Sequence, residues 1–168
     1  MGAQHSFAAS VTWPTAGVAE GDPAGATTSY AAYTRDHDVT APGHPVVPGS
    51  ADPAFRGDGA RYSPEELLVA SLAQCHMLWF LHLAAEARVV VRGYTDAATG
   101  TMRVESRGEG QFTDVTLHPQ VVVDAASDVT DARLAELHHR AHALCFVARS
   151  VNFPVLVEPM PLRTSTTV

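Results

Sequence analysis

The strongest constraint in this chain is a helix start. Ser63-Pro64-Glu65-Glu66 sets a hydroxyl at the N-cap, proline at the first helical position and a carboxylate three residues after the serine, a capping box that satisfies free N–H groups of the first turn. The run that follows, Leu67 to Ala85, is apolar almost all the way round, with Ser71, Gln74, His76 and His82 as the main exceptions. A helix to about Arg88 is predicted, and a helix without a polar face is one that protein wraps on most sides. The longest unbroken apolar stretch inside it, Met77 to Leu81, is flanked by His76 and His82 and falls far short of the roughly 20 residues of a membrane span.

Around this helix the pattern alternates between strands and turns. His5 to Trp13 has apolar residues at every second position until Pro14, and Thr27 to Thr34 carries Tyr30 and Tyr33, so a hairpin is predicted there. Ala41 to Gly59 is rich in proline and glycine and reads as a long loop with one short edge strand near Val46. After the helix, Val89 to Tyr94, Met102 to Ser106 and Phe112 to Val123 predict an antiparallel meander with turns at Thr99-Gly100 and Gly108-Glu109-Gly110. Leu134, Leu137, Ala141, Leu144 and Ala148 are spaced for a second helix capped at Asp128 or Thr130, with Cys145 late in it. Pro154 to Glu158 is a last strand, and Arg163 to Val168 a loose tail. The expectation is one α+β domain over residues 1–168, antiparallel sheets around a long buried helix with a second helix packed beside it.

Composition excludes several functions. The net charge is −7, and all 11 basic residues are arginines scattered from Arg35 to Arg163, so there is no basic stripe for nucleic acid. Met1 to Trp13 lacks the charged start and apolar run of a signal peptide, so a cytoplasmic protein without a membrane anchor is expected. In that compartment Cys75 and Cys145 would pair only transiently. Whether the fold brings them within disulfide range is open at this stage.

A reactive thiolate needs a cation, and mid-helix Cys75 has no helix N-terminus to supply positive potential. With no lysine in the chain, the candidates are Arg35 in Tyr33-Thr34-Arg35-Asp36-His37 and Arg56 in Asp52-Pro53-Ala54-Phe55-Arg56-Gly57-Asp58. A different chemistry is also open. His138, His142 and Cys145 are spaced by four and three on one helix face, a donor set that zinc would accept, with Cys75 or His76 as fourth ligand. No Cys-x-x-Cys or His-Glu-x-x-His accompanies them.

The segment from Ser63 to Cys75, Ser-Pro-Glu-Glu-Leu-Leu-Val-Ala-Ser-Leu-Ala-Gln-Cys, resembles the first-cysteine motif of the osmotically inducible protein C and organic hydroperoxide resistance (OsmC/Ohr) family. Tyr33 to His37, Ser50 to Asp58 and Cys75-His76-Met77-Leu78 resemble its OsmC-like branch. The resemblance implies an OsmC-like fold and a hydroperoxide reductase without cofactor. Cys75 would be peroxidatic and Cys145 resolving, Glu65 would pair with Arg56 or Arg35, and a dithiol such as a lipoylated protein or a small thiol would be the reductant. Phe146 stands where many members place proline after the second cysteine. Helix geometry adds that Glu65 and Cys75, ten residues apart, lie ~15 Å apart along one axis and about 80° out of phase. Shared use of one site then predicts an intertwined homodimer. Leu72, Trp79, Phe80 and Phe146 would favour an organic hydroperoxide. A non-catalytic small-molecule binder on the same fold is the remaining alternative.

Overall fold

The structure is a computed structural model and describes residues 2–166. The chain forms two compact units, Met1–Leu67 and Leu68–Val168.

In the first unit, β1 (Ser10–Thr12), β2 (His37–Thr40) and β3 (Val47–Gly49) make an antiparallel sheet in that order. The predicted edge strand near Val46 is β3. The predicted strand Thr27 to Thr34 does not form, because the Arg35 guanidinium takes the carbonyls of Tyr30 and Tyr33, at 2.6 Å each, that a ladder would have used. The strand that pairs with β1 therefore begins only past the end of the predicted one, at His37. The loop beyond β3 is pinned by Ser50, whose hydroxyl donates to Asp36 Oδ1 (2.9 Å) and accepts from Asp58 N (3.0 Å). It also holds a 3-10 turn at Pro53–Phe55, capped by the Asp52 side chain.

The long helix α1 (Pro64–Glu86) starts as predicted. Glu66 N donates to Ser63 Oγ at 3.2 Å, and Ser63 N donates to Glu66 Oε2 at 2.8 Å. At 23 residues it is long and apolar enough to cross a membrane by length and composition alone. It is wrapped on one side rather than on most: Leu72, His76, Phe80, Leu83 and Ala84 are buried, whereas Leu78 is 60% exposed.

In the second unit α1 is followed by β4 (Val91–Asp96), β5 (Thr99–Val104), β6 (Gly110–Leu117), β7 (Pro119–Asp124), α2 (Asp131–Leu144), β8 (Val155–Val157) and β9 (Arg163–Ser165). The predicted meander is instead two sheets, β4-β7-β9 and β5-β6-β8. Phe112 to Val123 breaks at His118, whose N–H leaves the ladder to donate to Asp96 Oδ1 (2.7 Å), and the chain changes sheet there. Thr99-Gly100 lies inside β5 rather than in a turn. The sheets are mixed, because β8 and β9 join in parallel, and β9 occupies the stretch expected to be loose; Thr167 and Val168 lie outside the described residues.

Two apolar clusters form the interior of this unit. Phe80, Leu83 and Ala84 of α1 meet Val121 and Val123 of β7 and Leu134, Leu137 and Ala141 of α2. Leu72 packs separately with Val115 and Leu117 of β6. The side of α2 that repeats every three to four residues is thus the buried one, as its spacing predicts, and Thr130 caps its first turn by accepting from Arg133 N (3.3 Å). The helix stops at Leu144, so Cys145 is its C-cap and Ala148 belongs to a separate 3-10 turn.

Candidate active site

The fold brings the two cysteines together. Both are free thiols, and Cys75 lies near enough to Cys145 to act on its ionisation. Their environments differ. Cys75 sits midway along α1 and is half-buried, while Cys145 is 1% exposed. At Cys145 the chain leaves the helical conformation (φ −65°, ψ 107°), which turns the thiol inward; its N–H bonds His142 O at 3.2 Å and its Sγ accepts from Ala148 N at 3.4 Å. Burial, then the neighbouring Cys75 thiol, pushes the Cys145 thiol up to about 11, so it stays protonated at neutral pH.

Beside this pair Trp79 and Phe146 meet edge to face at 5.4 Å, with Phe146 68% exposed. Leu72 and Phe80, expected near the thiols as substrate contacts, are instead wholly buried in the two core clusters.

The zinc set does not assemble. His138 turns into the core, where its Nδ1 lies 3.0 Å from His76 Nε2 and its ring stacks on Phe80 at 4.1 Å. Among the described residues no group of three His, Cys, Asp or Glu side chains is placed to hold a metal ion. Of the neighbouring α2 histidines, His139 is exposed, whereas His138 is 2% exposed.

In the first unit a cavity of about 540 Å³ is lined by Trp13, Tyr33, Arg35, Phe55 and Glu65 among others. It brings together two of the sequence candidates, Arg35 and Glu65. Arg35 is held rigidly, with its guanidinium carbon 3.8 Å from the centre of the Tyr33 ring and 4.7 Å from that of Tyr30. Such a cage fixes a permanent cation in a partly apolar wall. Arg56 is not among the lining residues; it is exposed, caps the 3-10 turn in a left-handed conformation (φ 69°), and lies 6.0 Å from the Tyr30 ring.

Neither arginine pairs with its neighbouring aspartate. Asp36 and Asp38 take Arg61 instead, at 3.5 and 3.9 Å. Asp38 also accepts from Thr15 Oγ1 (2.7 Å), the main cause holding its carboxyl below the usual range, against which burial works. Nothing near Arg61 in the sequence marks it as the partner of Asp36, just before β2, and of Asp38 within β2.

Two neighbouring free thiols on an α+β frame define a dithiol protein built around one long helix. The family model for OsmC-like proteins matches residues 57–159, and the chain belongs to that family. An OsmC-like protein of unknown function from Vibrio cholerae is similar in structure with a TM-score of 0.79 and 34% identity, over 94% of this chain and 100% of that one. Organic hydroperoxide resistance proteins share the fold at 16% identity: one from Elizabethkingia anophelis (TM-score 0.65, 99% of this chain, 100% of that one) and one from Legionella pneumophila (0.65, 98% and 99%). No curated protein matches the sequence.

Proposed function

We propose that the chain is a thiol-dependent peroxidase for organic hydroperoxides. The observation that carries the reading is the closeness of a half-buried Cys75 to a buried, protonated Cys145 from a distant part of the chain. In the proposed cycle the Cys75 thiolate attacks the terminal oxygen of ROOH, the O–O bond breaks, and ROH leaves after taking a proton, with Cys75 as sulfenic acid. The Cys145 sulfur then attacks the Cys75 sulfur, its proton leaving with the hydroxyl as water, and a disulfide results. The dithiol of a lipoylated protein, or a pair of small thiols acting in turn, takes both oxidising equivalents back by exchange. The division of labour follows from burial: the more accessible thiol meets the peroxide and the buried one waits beside it.

Arg35 and Glu65 supply the polar wall in this reading. Glu65 and Cys75 point in different directions on one continuous helix, so the wall over Cys75 comes from a second copy, in a homodimer whose interface includes the exposed side of α1 around Leu78. Re-reduction by cellular thiols suits the cytoplasm. The test is consumption of cumene hydroperoxide with dithiothreitol present. Cys75→Ser should abolish it, Cys145→Ser should leave a trappable sulfenic acid on Cys75, and full activity in Cys75→Ser would overturn the assignment.

A further inference from the structure

The cavity of about 540 Å³ in the first unit has aromatic walls that are held in place. Trp13 donates its indole N–H to Thr34 O at 2.8 Å, and its ring meets Tyr33 edge to face, with 6.0 Å between centres and 87° between planes. Tyr33 in turn carries the Arg35 guanidinium over its ring at 3.8 Å. Two flat walls at a right angle, with Phe55 as a third ring in the lining, form a corner shaped for a further ring, and little side-chain freedom is lost when one enters.

The same lining has an uneven charge balance. It holds one permanent cation, Arg35, and two acids, Asp52 and Glu65. Arg35 is already engaged: its two terminal nitrogens donate to the carbonyls of Tyr33 and Tyr30, and both tyrosine rings stand against it. Asp52 accepts from Ala54 N at 2.7 Å, capping the 3-10 turn. Among the described residues neither acid forms an ion pair. A second anion in this space would give up water in a largely apolar surround and meet two carboxylates, whose repulsion acts over several ångströms without contact.

We propose that this cavity accepts neutral aromatic molecules and turns away those that bear a carboxylate, with Asp52 setting the discrimination. Resting on the peroxidase reading, it makes the substrate class a neutral aryl hydroperoxide rather than a hydroperoxy acid. Asp52 is the residue to alter, because its capping bond needs one side-chain oxygen, which asparagine also supplies without the charge.

The test measures binding of unreactive alcohols to the full-length protein carrying Trp79→Phe, which leaves Trp13 as the sole tryptophan. At pH 8, where an ordinary imidazole is uncharged, 2-phenyl-2-propanol should change Trp13 fluorescence saturably. Its para-carboxamide should bind at least about tenfold more tightly than its para-carboxylate. The aliphatic 2-cyclohexyl-2-propanol should bind at least about twofold more weakly than the phenyl compound, for want of ring-to-ring contact. Asp52→Asn should narrow the amide-to-acid ratio at least about threefold, and added salt should narrow it too. No saturable signal, equal binding of amide and acid, a cyclohexyl compound as tight as the phenyl one, or an unchanged ratio in a folded Asp52→Asn protein would each overturn the proposal. The same order should hold in kcat/KM for the matching hydroperoxides. Ordered binding with no turnover of cumene hydroperoxide would uphold the selectivity of the cavity and refute the peroxidase reading alone.

Discussion

Acid should unfold this protein earlier, and more steeply, than its carboxylates alone would require. His76 and His138 are held neutral by burial, at about 4 and about 3 against an ordinary 6.5. The unfolded chain therefore binds protons at these sites that the folded chain refuses, so their stabilisation is present above about pH 6.5 and lost as pH falls toward the folded values. With two such groups the slope approaches two protons, about 2.7 kcal/mol per pH unit. Integrated from about pH 7 to about pH 4.5, the loss is about 5 kcal/mol, a large part of the 5–15 kcal/mol that holds a domain together.

The groups around the pair decide how cleanly this is read. His142 on α2 adds repulsion toward a charged His76, and Phe80 and Tyr94 contribute apolar contact. Asp96, whose carboxyl burial raises, works in the opposite direction, because its folded form holds a proton the unfolded form releases. Asp38, lowered chiefly by Thr15, adds acid sensitivity only below its unfolded value near 3.8. Urea melts between about pH 7 and pH 4.5 in the unaltered protein and in an Asp96→Asn background measure the proton uptake. A His76→Leu/His138→Met double variant should flatten the profile in that window. An uptake of one proton or less with Asp96 replaced, or an unchanged slope in the double variant, would refute the reasoning.

Ser63→Ala removes the acceptor for Glu66 N and should cost about 1 kcal/mol, lowering Tm by roughly 2–4 °C in a thermal melt. Gly57→Ala would drive a Cβ into the backbone carbonyl of Ala51 and should cost about 1–3 kcal/mol or more, seen as lower urea resistance and loss of soluble yield. Arg35→Lys keeps the charge but loses the flat, two-carbonyl fork between the tyrosine rings; kcat/KM for hydroperoxide should fall at least about tenfold, while Arg56→Ala should change it little.

What could be read from the sequence was what local chemistry decides. The capping box at Ser63, the Thr130 cap and the spacing of Leu134, Leu137 and Ala141 each depend on residues within one or two turns, and each is present. The misreadings share a different cause: a long-range partner took a backbone or side-chain group that the local pattern had assigned elsewhere. Arg35 removed the Tyr30 and Tyr33 carbonyls from a strand, Asp96 drew the His118 N–H out of a ladder, and β7 recruited Arg163–Ser165 from some forty residues away. Nothing in a window around any of these positions announces the partner.

The site divides along the same line. Cys75 could be placed because it follows a strong local motif, and the inward turn of Cys145 could not, because it depends on where α2 stops and on what lies across from it. His138 shows why spacing alone misleads: it falls on the same face as Leu134, Leu137 and Ala141, so helix geometry dictates its burial, and its polarity then had to be answered by His76. That answer is incomplete, since one imidazole nitrogen remains unpaired on each ring. A core that keeps two such atoms dry is less stable than one with apolar residues of similar shape.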